Sequence, residues 1–283
     1  MISGLRRSWG VIESTIASIP ASDGAGVKLR RSLGQAQHVR VDPFLMLDEF
    51  YSDDPDDYLA GFPDHPHRGF ETVTYILDGH MLHQDHLGNR GDLKSGGVQW
   101  MTAGRGIVHS EMPQQSAGRM RGFQLWINLP AKEKMQPAGY KDLQAADIPE
   151  ASLGNGKVRL IAGSYEGKKG AVSGNATDAT YFDVHLPAGA TFRHPLPDGY
   201  NAFVYPYEGE IAIGGKPLLG QRAGVLSTEG DVEVTAGKAP ARFLLLAGKP
   251  IGEPVVQYGP FVMNSVAEIE QAVRDYQSGA LVG

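Results

Sequence analysis

Four residues with metal-ligand chemistry form two pairs of the same spacing. His65 and His67 are separated by one residue, and so are His109 and Glu111. On a β-strand, side chains two residues apart point to the same face, and their Cα atoms lie ~6.5 Å apart, so each pair can converge on one point. Two such strands facing each other across a barrel would hold a single divalent ion.

The chemistry of these side chains restricts which metal ions they can bind. Three imidazoles and one carboxylate form a nitrogen and oxygen set without sulfur, which suits Fe(II), Mn(II), Co(II), Ni(II) or Zn(II). Such a set leaves positions of an octahedron open, where a substrate and dioxygen, or water, would bind. We therefore predict one divalent metal ion as the cofactor.

A second carboxylate competes with Glu111 for the role of ligand. Glu71 is also an even number of residues from His65 and His67, so strand parity alone does not choose between the two carboxylates. A bulge at Gly69 would rotate Glu71 away from the histidines. The spacing leaves this choice open.

The other candidate side chains are expected to be structural. A spacing of three puts alternate members of a set on opposite strand faces, which argues against a second metal cluster at His80, His83 and His86. No His-x-His pattern accompanies His185 or His194.

Two arginines and three aromatic residues also lie near the predicted site. Arg68 and Arg105 flank the ligand pairs, but their parity points them away, so we expect ion pairs or outer contacts rather than substrate contacts. We expect the aromatic side chains to be core residues rather than a substrate platform: Phe123, Trp100 and Trp126.

The chain consists largely of short apolar runs separated by turn residues, with 37 Gly and 18 Pro. Asp78-Gly79, after the β-branched run Thr72 to Ile76, is a strong hairpin signal. Without long amphipathic helices between the strands, the pattern predicts closed antiparallel barrels in an all-β protein. The predicted strands are 26–31, 44–50, 71–77, 80–86, 98–101, 107–111, 123–129, 158–162, 180–186, 202–207, 210–213, 223–226, 232–234 and 242–247.

The length of 283 residues allows two domains with separate cores. A charged, weakly periodic stretch containing Pro137 and Pro149 interrupts the strand pattern, and the similar strand counts on its two sides suggest an internal duplication. We predict a metal-binding domain over residues 1–135, a linker over 136–156, a metal-free domain over 157–250, and a tail over 251–283.

The tail contains the one convincing helix. Ser265 and Glu268 form a capping box, an apolar stripe follows, and Gly279 suits the end of the helix. We expect this helix to pack on a barrel.

Composition excludes several functions. A formal net charge of -6 without large basic clusters argues against direct nucleic-acid binding. The absence of cysteine removes disulfides and thiolate ligands. Residues 1–10 show no signal peptide, and the longest apolar run, 243–247, is far below the ~20 residues of a membrane span. We expect a cytoplasmic protein without membrane contact.

The motifs themselves carry a family resemblance. The first half resembles a cupin, because Gly61, His65, His67, Glu71 and Gly79 follow the first cupin motif, and Gly106 with His109 matches the second. More narrowly, HPHRGFETVTYIL, QWMTAGRGIVHSE, FQLWINLP and GPFVMNS resemble the pirin family over nearly the whole chain.

This resemblance implies two tandem cupin barrels of the double-stranded β-helix, or jelly-roll, type with a C-terminal helix. It implies Fe(II) in the first barrel and a second barrel that has lost its metal. It also implies that the carboxylate ligand is Glu111 rather than Glu71.

For function, the resemblance implies quercetin 2,3-dioxygenase activity, the dioxygen-dependent opening of a flavonol ring with release of carbon monoxide. Glu111 would then be both a ligand and the catalytic base. The alternative that it implies is a non-enzymatic, iron-dependent protein that binds a transcription factor or a metabolic enzyme. A third possibility is a small-molecule-binding cupin without turnover.

Overall fold

The computed structural model describes residues 8–283, so residues 1–7, which include most of the segment considered for a signal peptide, lie outside the described residues. The described chain separates into two compact units. We call residues 19–147 and 251–283 the first barrel, and residues 8–18 and 148–250 the second barrel.

The first barrel contains a seven-stranded sheet in the order β12-β9-β6-β11-β4-β3-β2 and a four-stranded sheet in the order β5-β10-β7-β8. Its strands are β2 (Ile19–Asp23), β3 (Val27–Arg31), β4 (Phe44–Ser52), β5 (Phe62–His67), β6 (Phe70–Asp78), β7 (His80–Asp85), β8 (Arg90–Lys94), β9 (Val98–Thr102), β10 (Ile107–Pro113), β11 (Met120–Asn128), β12 (Gly139–Leu143), β25 (Val256–Tyr258) and β26 (Phe261–Met263). Its helices are α1 (Ala131–Lys134), α2 (Val266–Ser278) and short 3-10 turns at Pro55–Asp57, Ala145–Asp147 and Ala280–Val282.

The second barrel contains a seven-stranded sheet in the order β1-β22-β19-β24-β17-β14-β13 and a four-stranded sheet in the order β18-β23-β20-β21. Its strands are β1 (Ile12–Ala17), β13 (Glu150–Leu153), β14 (Gly156–Ala162), β15 (Ser164–Tyr165), β16 (Lys168–Lys169), β17 (Thr180–Leu186), β18 (Thr191–His194), β19 (Asn201–Glu208), β20 (Ile211–Ile213), β21 (Lys216–Leu218), β22 (Arg222–Leu226), β23 (Val232–Ala236) and β24 (Ala241–Gly248).

The two barrels share one sheet topology. In each of them a seven-stranded and a four-stranded sheet enclose an apolar core, and corresponding strands occupy corresponding places in the sheet order. This repetition matches the predicted duplication and confirms the all-β class with two tandem barrels. The hairpin expected at Asp78-Gly79 does not form: Gly79 turns the chain with a φ of 122°, but β6 lies in the seven-stranded sheet and β7 in the four-stranded sheet, so the turn passes from one sheet to the other.

The domain boundaries in the structure differ from those predicted. Strand β1 pairs with β22, so residues 12–17 belong to the second barrel, whereas residues 251–283 belong to the first. The predicted linker contains β12, which pairs with β9, and β13, which pairs with β14. The pairings of β1 with β22 and of β12 with β9 join segments that are distant in sequence, which is why local composition did not indicate them.

The C-terminal helix forms as predicted. The Ser265 hydroxyl accepts a hydrogen bond from the backbone N–H of Glu268, and Gly279 ends α2 in the left-handed conformation. Ile269 and Ala272 are the buried residues of the helix and lie in an apolar cluster with Phe261 and with the partly buried Val108 of β10. The helix therefore packs on β25 and β26 of the first barrel, in an apolar cluster that also includes Val108.

In the part of the chain that the structure describes, no helix has both the length and the apolar character needed to cross a membrane.

Candidate metal centre

Strands β5 and β10 bring the predicted ligands together. They pair antiparallel, with His65 opposite His109 and His67 opposite Ile107. Beyond His109 the register of this pairing shifts. Glu111 lies two residues after His109 on β10, whereas its partner Phe62 lies three residues before His65 on β5. The shift marks a bulge in β5 beside the site, a place where bulges commonly re-aim side chains.

Three imidazoles converge in the structure. Ligand nitrogens of His65, His67 and His109 lie within 4.8 Å of one another. The ring centroids of His65 and His109 are 4.3 Å apart, and that of His67 is 4.7 Å from His65 and 4.9 Å from His109. Among residues 8–283 this is the one group of three or more potential ligand side chains with such proximity.

Burial keeps the imidazoles of His67 and His109 neutral. Burial, reinforced by the neighbouring His65, holds the pKa of His67 well below its ordinary value. Burial and then the proximity of His67 lower the pKa of His109 in the same way. A neutral imidazole has a free lone pair, and metal binding requires that lone pair.

The hydrogen bonds of the rings leave nitrogens available. The Nδ1 atom of His65 lies 2.8 Å from the carbonyl oxygen of Pro63 and donates to it, which leaves Nε2 as an acceptor. Among the three rings, buried nitrogens without a hydrogen-bond partner are Nδ1 of His67 and Nε2 of His109, and the neighbouring His83 has another at Nε2. Since buried polar atoms are normally paired, the atoms of His67 and His109 indicate a missing ligand, and a divalent metal fits them.

Glu111 is buried beside the three imidazoles, although its carboxylate is not part of the group within 4.8 Å. Its Oε1 atom accepts a hydrogen bond of 2.8 Å from the hydroxyl of Thr74 on β6. Glu111 also lines the same cavity as His65 and His67. The carboxylate is therefore held in place by a strand of the opposite sheet, at the cavity that His65 and His67 also line.

The hydroxyl of Thr74 lies between two oxygen-bearing side chains. Its Oγ1 is 2.8 Å from Glu111 and 2.6 Å from the amide of Gln124 on β11. A hydroxyl has one proton, and an ionised carboxylate can only accept, so the proton goes to Glu111. Gln124, whose amide oxygen lies next to the Thr74 hydroxyl, also lines the cavity.

Glu71, the competing carboxylate, has a different environment. Its Oε1 atom accepts a hydrogen bond of 2.7 Å from the Thr102 hydroxyl on β9, and Glu71 does not line the cavity that contains the histidines. Burial raises the pKa of Glu71, against the hydrogen bonds from Thr102 and Trp100. The geometry therefore favours Glu111 over Glu71 as the carboxylate that faces a metal.

His83 lies next to the candidate site, which its spacing in the sequence did not indicate. His83 was grouped with His80 and His86 as structural, and those two are indeed outer residues: His80 pairs with Asp92, and His86 is exposed. His83, however, is 2% exposed and its ring centroid lies 4.7 Å from that of His109. The pairing of β7 with β10 brings His83 next to His109, and the spacing of residues within β7 does not reveal this pairing.

The flanking arginines lie outside the site. Arg68 is buried and forms a 2.7 Å ion pair with Asp275 of α2, while its Nε donates to the backbone oxygen of the exposed Arg105. The ion-pair prediction is confirmed for Arg68. Its guanidinium connects the turn after β5 to the C-terminal helix.

The predicted aromatic core residues divide into two groups. Phe123 and Trp100 are buried, as predicted. Trp126 is only partly buried and lines the cavity, with its ring centroid 5.3 Å from that of His67. Trp126 is therefore a wall of the site rather than a core residue alone.

A cavity of about 750 Å³ opens beside the histidines and is lined in part by apolar side chains. This volume lies in the range of small-molecule sites. Arg31 is also at the cavity, but its Nε and Nη2 atoms donate to Asp48 at 2.8 and 2.6 Å. The apolar wall consists of Leu29, Met46, Phe50, Phe62 and Trp126.

The second barrel offers a natural comparison. Strand β18 occupies the place of β5, and β23 occupies the place of β10. His194 lies opposite Val232, the first residue of β23, just as His67 lies opposite Ile107, the first residue of β10. Burial lowers the pKa of His194 to about 4. His194 therefore corresponds to His67.

The positions of the second barrel that correspond to His65, His109 and Glu111 carry no ligand atoms. Phe192 lies opposite Val234, at the places of His65 and His109. Ala236, four residues after Val232, occupies the place of Glu111 on its strand. Apolar side chains at these three positions explain why a cluster of imidazoles forms in the first barrel only, within the described residues.

The fold and the site define a class. Two barrels of common topology, with a convergent set of histidines on paired strands of the first, are the features of a two-domain cupin with one candidate metal centre.

Comparison with known proteins narrows this class. The pirin profile matches residues 26–127, and the profile described as the pirin C-terminal cupin domain matches residues 181–282. The chain is 56% identical, over 93% of its length and 94% of the relative, to a Pseudomonas aeruginosa protein named "Putative quercetin 2,3-dioxygenase PA3240". It is 52% identical to a pirin-like protein of Caulobacter vibrioides, over 92% and 95% of the two chains.

A solved structure of a protein with a related name also matches the fold of this chain. A crystal structure of quercetin 2,3-dioxygenase from Acinetobacter baumannii superposes with a TM-score of 0.91 at 33% identity, over 97% of this chain and 99% of that one. The chain belongs to the pirin family, and the family predicted from its motifs is confirmed.

Proposed function

We propose that this protein is a metal-dependent dioxygenase of the quercetin 2,3-dioxygenase type, acting on a flavonol-like aromatic substrate. The observation that carries the proposal is the convergence of His65, His67 and His109 beside a partly apolar cavity of about 750 Å³, which His65, His67 and Glu111 line. The names of the Pseudomonas relative and of the Acinetobacter structure support the reaction type.

The three imidazoles and the Glu111 carboxylate would hold one divalent ion. We propose Fe(II), while the nitrogen and oxygen set also suits Mn(II), Co(II), Ni(II) and Zn(II). When bound, the ion supplies Lewis-acid and redox chemistry toward a hydroxyl-bearing substrate and dioxygen.

The chain itself supplies three further functions. The apolar wall, including Phe50 and Trp126, binds a flat aromatic ring system and excludes water from it. The carboxylate of Glu111 takes the proton of the flavonol 3-hydroxyl as a general base. Thr74 holds that carboxylate in position through its hydroxyl.

The overall reaction balances without a further reductant. Dioxygen and the flavonol give a depside, which is an ester of two phenolic rings, and carbon monoxide. Both oxygen atoms and all substrate atoms are found in these two products.

Oxygen consumption tests the proposal. Protein that is stripped of metal and reloaded anaerobically with Fe(II) should consume dioxygen and release carbon monoxide in the presence of quercetin, whereas the metal-free protein should not. Reloaded protein with bound iron and no oxygen uptake would contradict the dioxygenase, and would favour the metal-dependent interaction protein as the alternative.

A matched pair of substitutions tests the carboxylate. Glu111→Gln should lower turnover by ~10²-fold or more and weaken metal binding, because it removes the base and an anionic ligand. Glu71→Gln should retain both properties, since Glu71 is a buried carboxylate that faces Thr102 rather than the cavity. The reverse result, with Glu71→Gln inactive and Glu111→Gln active, would make Glu71 the ligand.

A further inference from the structure

His83 and His109 are hydrogen-bonded to each other. Their Nδ1 atoms are 3.2 Å apart, and both residues are almost fully buried, with exposures of 2% and 1%. His83 lies on β7 directly opposite Glu111 of β10, so the neighbouring strand presents it to the site. A bond between two ring nitrogens needs one N–H group and one lone pair.

The position of the protons follows from the available atoms. Nε2 of His109 is buried without a hydrogen-bond partner, whereas its Nδ1 is bonded to His83, so Nε2 is the atom left for a metal. A ligand nitrogen cannot carry a proton, and a neutral imidazole carries one, so the proton of His109 is on Nδ1. His109 therefore donates, and Nδ1 of His83 accepts.

The usual acceptor for such a ligand is absent here. A metal-bound histidine generally donates its second N–H to a carboxylate, a backbone carbonyl or water. Asp85 lies opposite His109 on β7, but its Oδ1 accepts from the backbone N–H groups of Leu87 and Asn89, at 2.9 and 3.0 Å. Its Oδ2 accepts from the Asn89 side chain at 2.9 Å. Asp85 is thus committed to the turn after β7.

We propose that His83 is a positioning residue of the metal centre. By accepting the Nδ1–H of His109, it selects the tautomer of His109 and fixes the ring so that Nε2 faces His65 and His67. The proposal rests on the metal site of the proposed function, and it adds a residue outside the four ligands. His83 itself is then in the complementary tautomer, with its proton on Nε2, a buried atom to which the structure gives no acceptor.

Three variants separate this role from simple packing. His83→Asn keeps a neutral acceptor close to the position of Nδ1, while His83→Phe keeps a ring of similar size without an acceptor. His80→Phe is the matched control, because His80 is on the same strand and its side chain is 32% exposed and paired with Asp92.

The first readout is the affinity for Ni(II), measured by competition with a chelator. His83→Phe should raise the dissociation constant about 10- to 100-fold, the range found when outer partners of metal ligands are removed. His83→Asn should restore most of the affinity, and His80→Phe should leave it unchanged. Equal Ni(II) affinity of His83→Phe and the unmodified protein would overturn the proposal.

The second readout is the tautomer of His109 in the metal-free protein, from long-range proton–nitrogen NMR of ¹⁵N-histidine-labelled samples. The proton should be on Nδ1 in the unmodified protein and in His83→Asn. A proton on Nε2 in the unmodified protein would refute the proposal even if a variant failed to fold.

Neither readout depends on turnover. Loss of Ni(II) affinity in His83→Phe together with no oxygen uptake by the unmodified iron-loaded protein would leave the positioning role intact and reject the dioxygenase. Oxygen uptake by the unmodified iron-loaded protein, together with an unaltered Ni(II) affinity in His83→Phe, would support the dioxygenase and reject the positioning role.

Discussion

Lys134 is a buried lysine that connects three parts of the first barrel. Its ammonium group donates hydrogen bonds to the carbonyl oxygen of Gly69 at 2.7 Å, to Oδ1 of Asn128 at 2.6 Å and to the carbonyl oxygen of Val262 at 3.0 Å. Lys134 is 1% exposed. Gly69 follows His67 by two residues, so this lysine supports the turn beside the metal site.

Replacing this lysine by methionine has two effects with different pH dependence. At pH 7, Lys134→Met leaves three acceptors without their donor. Each unsatisfied buried acceptor costs ~1–3 kcal/mol. Burying the charged ammonium is itself unfavourable, and its removal offsets part of this cost. We therefore expect about 1 kcal/mol for each of the three acceptors, a loss of about 3 kcal/mol in the free energy of unfolding.

The pH dependence follows from the pKa of the lysine. Burial lowers the pKa of Lys134 from 10.5 to about 8, against the opposing charges of Glu253 and Glu268. Between these two values the unfolded chain binds more protons than the folded chain, so stability rises with pH. From pH 7 to pH 9.5 the unmodified protein should gain about 2 kcal/mol relative to Lys134→Met.

Urea unfolding of the metal-free proteins at pH 7 and pH 9.5 measures this difference. Fluorescence of Trp100 and Trp126 reports on the first barrel. Lys132→Met is the control, because the Lys132 side chain is 81% exposed, and it should show no pH-dependent difference. A gap between the unmodified protein and Lys134→Met that is the same at both pH values would refute the reasoning.

Two further predictions concern residues that support the site. Thr74→Val should lower the Ni(II) affinity about 10-fold, because Glu111 loses a hydrogen bond. Thr74→Ser keeps the hydroxyl and should keep the affinity. Equal Ni(II) dissociation constants for the two variants, measured by competition with a chelator, would contradict this prediction. Gly69→Ala should cost more than about 2 kcal/mol, because φ is 91° and the added Cβ would lie 2.0 Å from the carbonyl oxygen of Val262. Gly88→Ala, with φ of 81° and open space around it, should cost less in thermal unfolding, and equal losses would show that the contact with Val262 is not tight.

The sequence predicted those features that depend on local rules. The i, i+2 spacing of His65 and His67 was enough to place both side chains on one strand face, since that periodicity is a property of any extended chain. The Ser265 cap and Gly279 bounded α2 for the same reason, because both act within a few residues. The alternation of short apolar runs and turns also predicted two β barrels.

The contacts between strands were decided only in the tertiary structure. Spacing could not choose between Glu71 and Glu111, because the choice depends on which strand pairs with which and on the register shift between β5 and β10. The contact of His83 with His109 was not predicted for the same reason, since it arises from the pairing of β7 with β10. Strand β1 joins β22 from the far end of the chain. Register and partner choice minimise the free energy of the whole sheet, and no window of neighbouring residues contains that information.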